Sequence, residues 1–255
     1  MNESGDEYDD ELVDLLELVW GEGFLAPGGA ESVRRCVAEV DLNRAEVLDV
    51  GCGVGGADLV LAGMGAHVTG IDVEAGLIRR ARQRAERAGI EIAYRQVEPG
   101  PLPFDDGSFD HVFTHAAIIH VEDKASMFAE IHRVLRPGGW LLGYDWLRGT
   151  APFSADMYRW FELEGLTYSM DHLDNCQAML TSVGFEQVTG TDVTSEYRLA
   201  AYEEYQRMLG PDHARMTAIL GPERRDHFIE DWRMLTVVLA NGELRPAYLR
   251  GRKPS

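Results

Sequence analysis

The chain has 255 residues, 45% of them hydrophobic and 26% charged, enough apolar material for one large α/β core with an inserted lid rather than two independent domains. Its 24 Lys and Arg against 43 Asp and Glu leave a formal charge of −19, which repels nucleic acid and anionic membranes and favours a neutral or cationic small-molecule partner. The opening MNESGDEYDDELVDLL lacks the basic start and apolar stretch of a secretory signal, and no later apolar run reaches the length of a membrane span, so a cytoplasmic protein is expected.

From the N-terminus, Glu11 to Val19 carries the spacing of an amphipathic helix, and the turn-rich FLAPGGAES leads into a second helix from about Ser32 to Val40. Residues 1–40 therefore read as a helical cap and 41–255 as the main domain. EVLDVGCG is an apolar strand running into glycines; a helix near Ala57 to Met64 and the strand HVTGIDV complete a β-turn-α-β unit. Next come helix Ala75 to Ala88, strand IEIAYRQV, the turn-rich PGPLPFDDGS, strand FDHVFTHA, helix Lys124 to Leu135, an RPGG turn and strand WLLGYDW. This alternation predicts a parallel sheet covered on both faces. Arg148 to Tyr168 is aromatic-rich without a clean strand, LDNCQAMLTSVGF is a helix ended by Gly184, and EQVTGTDVT is a strand. A polar helical region, Ser195 to Leu239, precedes GELRPAYLRGRKP, a last strand with a basic tail. Within it, 196–231 interrupts the rhythm without supplying a strand and is expected to be an inserted lid. Cys36, Cys52 and Cys176 are odd in number and widely spaced, as buried thiols are, and His111 and His115 share a strand face without a third ligand, so no metal site is expected.

The glycines Gly51, Gly53, Gly55 and Gly56 sit where a strand ends and a helix begins, letting backbone approach a ligand at the positive end of the helix. Taken as Gly51, Gly53 and Gly56 they also satisfy the dinucleotide fingerprint, so the glycines alone do not separate S-adenosylmethionine from NAD. Asp72 ends the next strand, where a carboxylate accepts both ribose hydroxyls of either cofactor. Asp49 lies inside the first strand, where an acid can orient the loop and a cationic amino acid, and Glu98, just after the third strand, is expected to accept from an adenine amino group.

Taken together, VLDVGCGVGG, GIDV, PLPFDDGSFDHVF and RVLRPGGWLLGYDW resemble the class I S-adenosylmethionine-dependent methyltransferases over roughly residues 20–147. The resemblance implies a Rossmann-like α/β fold with a seven-stranded, mostly parallel sheet and an antiparallel last strand. It also implies S-adenosylmethionine as cofactor, held by Asp49, Gly51, Gly53, Gly55, Asp72, Val73, Val97, Glu98 and His115.

WGEGFLAPGGAES, FTHAAIIHVEDKASMF and DWRMLTVVLANGELRPAYLRGRKP are similar to the phosphoethanolamine and sarcosine/dimethylglycine N-methyltransferase group. In that group the segment before the core closes over the cofactor, which implies a place there for Trp20, Phe24, Gly28 and Gly29. The likeness also implies that Tyr8 caps the active site and that His120 closes the fourth-strand motif, giving Tyr8 and His120 catalytic roles. Ala116 stands where the phosphoethanolamine enzymes have an Asp, and Glu164 stands near the position of a phosphate-binding Arg. MYRWFELEGLTYSM contains only Arg159 as a base, whereas a phosphate site normally wants two or more positive donors. With Trp146, Trp160 and Tyr168, these residues form an expected acceptor site for a neutral or cationic amine without phosphate. An oxygen, sulfur or carbon acceptor, an NAD-dependent oxidoreductase and a non-catalytic binding protein are the competing readings.

Overall fold

The computed structural model describes residues 8–166 and 168–255, so the part of the expected cap before Tyr8 lies outside the described residues. The chain opens on α1 (Asp10–Trp20), whose first turn is capped by Asp9 accepting from the Leu12 amide at 2.7 Å. α2 (Gly29–Val37) follows, starting earlier than Ser32 because Gly28 takes a left-handed turn at φ 86° that sends the chain into the helix. The body comprises β1 (Glu46–Val50), α3 (Gly56–Gly63), β2 (His67–Asp72), α4 (Ala75–Ala88), β3 (Ala93–Gln96), β4 (Phe109–His115), a 3₁₀ turn (Ile118–His120), α5 (Lys124–Val134) and β5 (Leu135–Arg148). It ends with α6 (Ala155–Glu164), α7 (Leu173–Ser182), β6 (Glu186–Asp192), α8 (Thr194–Leu209), α9 (His213–Ala240) and β7 (Leu244–Arg252).

The seven strands form one sheet in the order β3-β2-β1-β4-β5-β7-β6, with β7 antiparallel to both its neighbours. This is the Rossmann-like, mostly parallel sheet with an antiparallel last strand that the motifs imply. Period-two alternation divides the core: Leu48, Val112 and Leu141 meet Phe128 and Ile131 of α5 and Leu180 of α7, while Val47, Phe113 and Leu142 meet Val33 of α2 and Leu61 of α3.

Three segments differ from expectation. The RPGG turn lies within β5, where Gly138 (φ 82°) and a register shift between Phe109 and His111 absorb a bulge. Arg148 to Tyr168 contains α6, whose Ser154 hydroxyl caps the amides of Asp156 and Met157 at 3.1 and 3.3 Å. The single helical region at 195–239 is two helices, and α9 kinks at Gly221 (φ 73°, ψ 168°) ahead of Pro222, which has no amide to continue the ladder. Both helices lie between β6 and β7, so the interruption spans 194–240 rather than 196–231. They pack with α1 and α6 through Leu15, Met157, Trp160, Met216, Trp232 and Leu235 into one helical layer.

From β1 the chain runs outward through β2 and β3, then crosses back to β4 on the other side of β1. The ends of β1 and β4 thus form the switch point of the sheet, where such folds open a crevice for ligands.

Candidate active site

The loop after β1 and the segment after β4 meet at this switch point. Gly51 (φ 77°) is packed so closely that a Cβ there would lie 2.2 Å from the Ala117 Cβ. A Cβ on Gly56 would lie 2.1 Å from the Gly23 carbonyl oxygen, which accepts the Gly56 amide at 3.0 Å. Gly55 backs onto the Tyr94 hydroxyl, whereas Gly53 meets only Leu25. Asp72 braces the loop, accepting from the Gly53 amide at 2.9 Å and the Glu74 amide at 3.0 Å. Each oxygen keeps a second lone pair for a ligand hydroxyl. Beside it the Val97 amide bonds the Asp72 carbonyl at 3.0 Å, and Val73 and Glu98 are exposed at the ends of β2 and β3. Asp72, Val73, Val97 and Glu98 therefore share one rim at the ends of β2 and β3.

Asp49 lies behind the loop rather than on its open side. It is buried with Asp58 of α3, a residue not singled out in the sequence, and Tyr94 stands beside them. Burial pushes both carboxyls up, Asp58 to about 6; the Asp58 charge raises Asp49 further, while the contact with Asp49 holds Asp58 down, so the pair is poised to share a proton beneath the glycines.

The leading segment is pinned to the loop. Glu17 accepts from Arg84 and from the Gly23 amide, and Arg84 also donates to the Val54 carbonyl. Leu25, Ala26 and Pro27 line a pocket beside the loop, Phe24 packs into the α2–α3 core, and a Cβ on Gly29 would lie 2.9 Å from the Trp20 carbonyl. His115 turns toward α2: its Nε2 is 2.8 Å from the Ser32 hydroxyl and its ring stacks on Tyr144 at 4.7 Å. Burial lowers it to about 4 and keeps it neutral.

A second pocket adjoins the loop, running from Ala116 and His120 toward α6 and α9, with about 40 Å³ of open space. Ala116 takes the left-handed conformation (φ 57°) as the chain leaves β4. His120 stands between the two halves, its ring 5.4 Å from Tyr168 and its charge within reach of Asp72. Tyr8, Trp20, Trp146, Tyr168, Phe228 and Trp232 supply aromatic wall, with Leu12, Leu16, Ile119 and Leu166 between them. Trp20 thus lines this pocket rather than the glycine loop, its indole N–H donating to Glu204 at 3.1 Å, and Trp160 backs the wall, stacked on Tyr168 at 5.7 Å.

Glu164 and Asp231 also line this pocket. The Tyr168 hydroxyl donates to Glu164 Oε2 at 2.9 Å, and burial pushes the Glu164 carboxyl up to about 7. Asp231, 2% exposed, is raised for the same reason and by Glu164. Among the described lining residues there is no Lys or Arg; Arg159 pairs with Glu162 at 3.2 Å on the exposed side of α6. Phe228, Asp231 and Trp232 were not singled out in the sequence, where Ser195 to Leu239 read as one polar helical region with no indication of which of its side chains turn inward.

A methyltransferase domain model matches residues 48–143, which contain the loop, Asp72 and His120. The chain carries a methyltransferase domain over these residues. The chain is 28% identical over 219 residues to phosphoethanolamine N-methyltransferase 1 of Arabidopsis thaliana, an alignment covering 85% of this chain and 44% of that one. It thus spans less than half the length of that relative. Its fold is similar to Haemonchus contortus phosphoethanolamine N-methyltransferase 2 in complex with phosphomonomethylethanolamine and S-adenosylhomocysteine: TM-score 0.91, 21% identity, covering 99% of this chain and 60% of that one. A putative sarcosine dimethylglycine methyltransferase from Galdieria sulphuraria gives a TM-score of 0.81 at 18% identity, with 96% and 98% covered. S-adenosylmethionine is accordingly the cofactor of this domain, and the NAD reading is set aside. Among the described residues, no helix is long and apolar enough to cross a membrane.

Proposed function

We propose that this chain transfers a methyl group from S-adenosylmethionine to the nitrogen of a small, neutral or cationic amine that carries no phosphate. The observation that carries this reading is the lining of the second pocket: aromatic faces and two carboxyls, with no Lys or Arg among its described residues. A phosphate placed there would face Glu164 and Asp231 with no Lys or Arg among the described lining residues to pair it, and burying an unpaired anion costs several kcal/mol, as an order of magnitude. The relative named for phosphoethanolamine whose structure is known shares the fold, so this reading gives the present chain a different acceptor on a common scaffold.

The glycine loop and Asp72 fit the cofactor through a bare backbone cradle and a carboxylate with free lone pairs. When bound, S-adenosylmethionine supplies a methyl carbon activated by a sulfonium. The protein's own work is alignment and exclusion of water. Tyr8 and the Leu25–Pro27 segment close the crevice, Trp146 and Tyr168 present aromatic faces to a cationic nitrogen, and His120 receives the proton that the acceptor sheds. The test is S-adenosylhomocysteine release with phosphorylated, carboxylated and simple amines. Efficient turnover of phosphoethanolamine overturns the phosphate-free reading, and no release with any acceptor overturns the enzyme reading.

A further inference from the structure

Glu164 and Asp231 come from α6 and α9 and meet at the end of the pocket away from the glycine loop. Trp160 presents its indole N–H beside both carboxyls. Yet neither Trp160 Nε1 nor Asp231 Oδ1 completes a hydrogen bond of normal geometry, and both atoms are buried. Glu164 is held on one oxygen by Tyr168. Two acids and an orphaned carboxylate oxygen, aimed into a cavity walled by Trp146, Trp232 and Phe228, are arranged for a cation. The other titratable groups facing the pair are the phenols of Tyr8, Tyr168 and Tyr197. Beyond them lie His120 against Tyr168, His227 bonding the Leu163 carbonyl at 2.7 Å, and Glu204 behind Trp20 and Trp232. None of these is a fixed positive charge.

That cation is not the nitrogen under attack. Displacement needs a lone pair, so the reacting nitrogen is uncharged when it forms its bond to the methyl carbon. The carbon–sulfur pair stays on sulfur, and the new ammonium then gives up a proton. A neutral amine alone leaves both acids unmatched.

We propose that Glu164 and Asp231 anchor a cationic group of the acceptor separate from the nitrogen being methylated, so that the acceptor is a dibasic compound such as a diamine. This rests on the reading of the chain as an amine methyltransferase. In the empty pocket the pair keeps its protons, and a seated ammonium expels one of them.

The probes are α,ω-diamines of two to five carbons, each beside the monoamine and the amino alcohol of equal length. Two readouts are taken on the full chain: S-adenosylhomocysteine formation, and calorimetric binding to protein saturated with S-adenosylhomocysteine, at pH 6 in two buffers of different ionisation enthalpy. The best diamine is expected to bind roughly 10–100-fold more tightly than its monoamine, the scale of one charge-assisted contact. It is also expected to release close to one proton. Asp231→Asn and Glu164→Gln are expected to erase both differences; the comparison of wild-type ligands decides the matter if either variant fails to fold. Equal turnover of monoamines or amino alcohols, with no proton release, overturns the anchor while leaving amine methylation standing. Tight diamine binding with proton release but no methylation of any amine supports the anchor and overturns the amine reading. Saturation with S-adenosylhomocysteine but no binding of any diamine overturns the anchor.

Discussion

Lys124 and Asp145 grip opposite sides of the turn that carries His120. Lys124 Nζ donates to the Ile118 carbonyl at 2.8 Å and the Val121 carbonyl at 2.7 Å, while Asp145 Oδ2 accepts the Ile119 amide at 2.9 Å. Both side chains are buried, and burial pushes Asp145 up to about 7. Lys124→Met should strand two carbonyls. The expected loss is about 2–4 kcal/mol in denaturant melts, with turnover reduced and S-adenosylhomocysteine affinity nearly kept. Unchanged turnover in the folded variant would show that the turn holds its shape without this grip.

Asp72→Ala removes the acceptor of the Gly53 and Glu74 amides as well as the partner proposed for the ribose. S-adenosylhomocysteine binding, measured by calorimetry, should weaken by roughly 1–3 kcal/mol. Wild-type affinity in a folded Asp72→Ala protein contradicts the assignment of the rim formed with Val73, Val97 and Glu98.

For His120→Ala the expectation is a loss of roughly 10²–10⁴ in turnover if the imidazole takes the acceptor's proton, with cofactor affinity little changed. Activity of the wild type should rise with pH toward the acceptor's own pKa, since only the free amine attacks. A variant with full turnover removes His120 from the mechanism.

The ligand-free protein should lose stability as pH rises. Glu164 is raised from 4.5 to about 7, so the folded state holds its proton more tightly than the unfolded chain. That stabilisation is complete below about pH 4.5 and is lost as pH passes through about 7. Urea melts from pH 5 to 8 should show Glu164→Gln with a flatter profile than wild type, the difference approaching ~1.4 kcal/mol per pH unit. Parallel profiles would mean that Glu164 titrates alike in both states.

The 196–231 segment and the α1 start are proposed to close over bound ligand. Hydrogen exchange with and without S-adenosylhomocysteine should show added protection at 8–16 and 196–231. Residues 21–24 should change little, because Glu17, Arg84 and Gly56 already pin that stretch. Equal protection of both outer segments in the two states would rule closure out.

The cofactor half was legible in the sequence because its parts are local. A strand, a glycine turn, a helix and a second strand form one β-α-β unit, and its fixed dimensions carry Asp72 back beside Gly53 whatever the rest of the chain does. Strand alternation likewise announced the sheet, and the motifs implied the direction of its last strand. The acceptor half followed other rules. Asp231 on a polar helix looks like a solvated residue until α9 kinks at Gly221 and packs between α8, α6 and α1. Asp49 and Asp58, nine positions apart, look like unrelated acids until α3 folds onto β1. In the same way Asp231 and Trp20 reach the pocket beside Glu164, which the motif likeness had placed there, from helices far apart in sequence. Local periodicity specifies which residues are helical and which face is apolar; where a polar residue ends up depends on which distant element covers it, and only packing decides that.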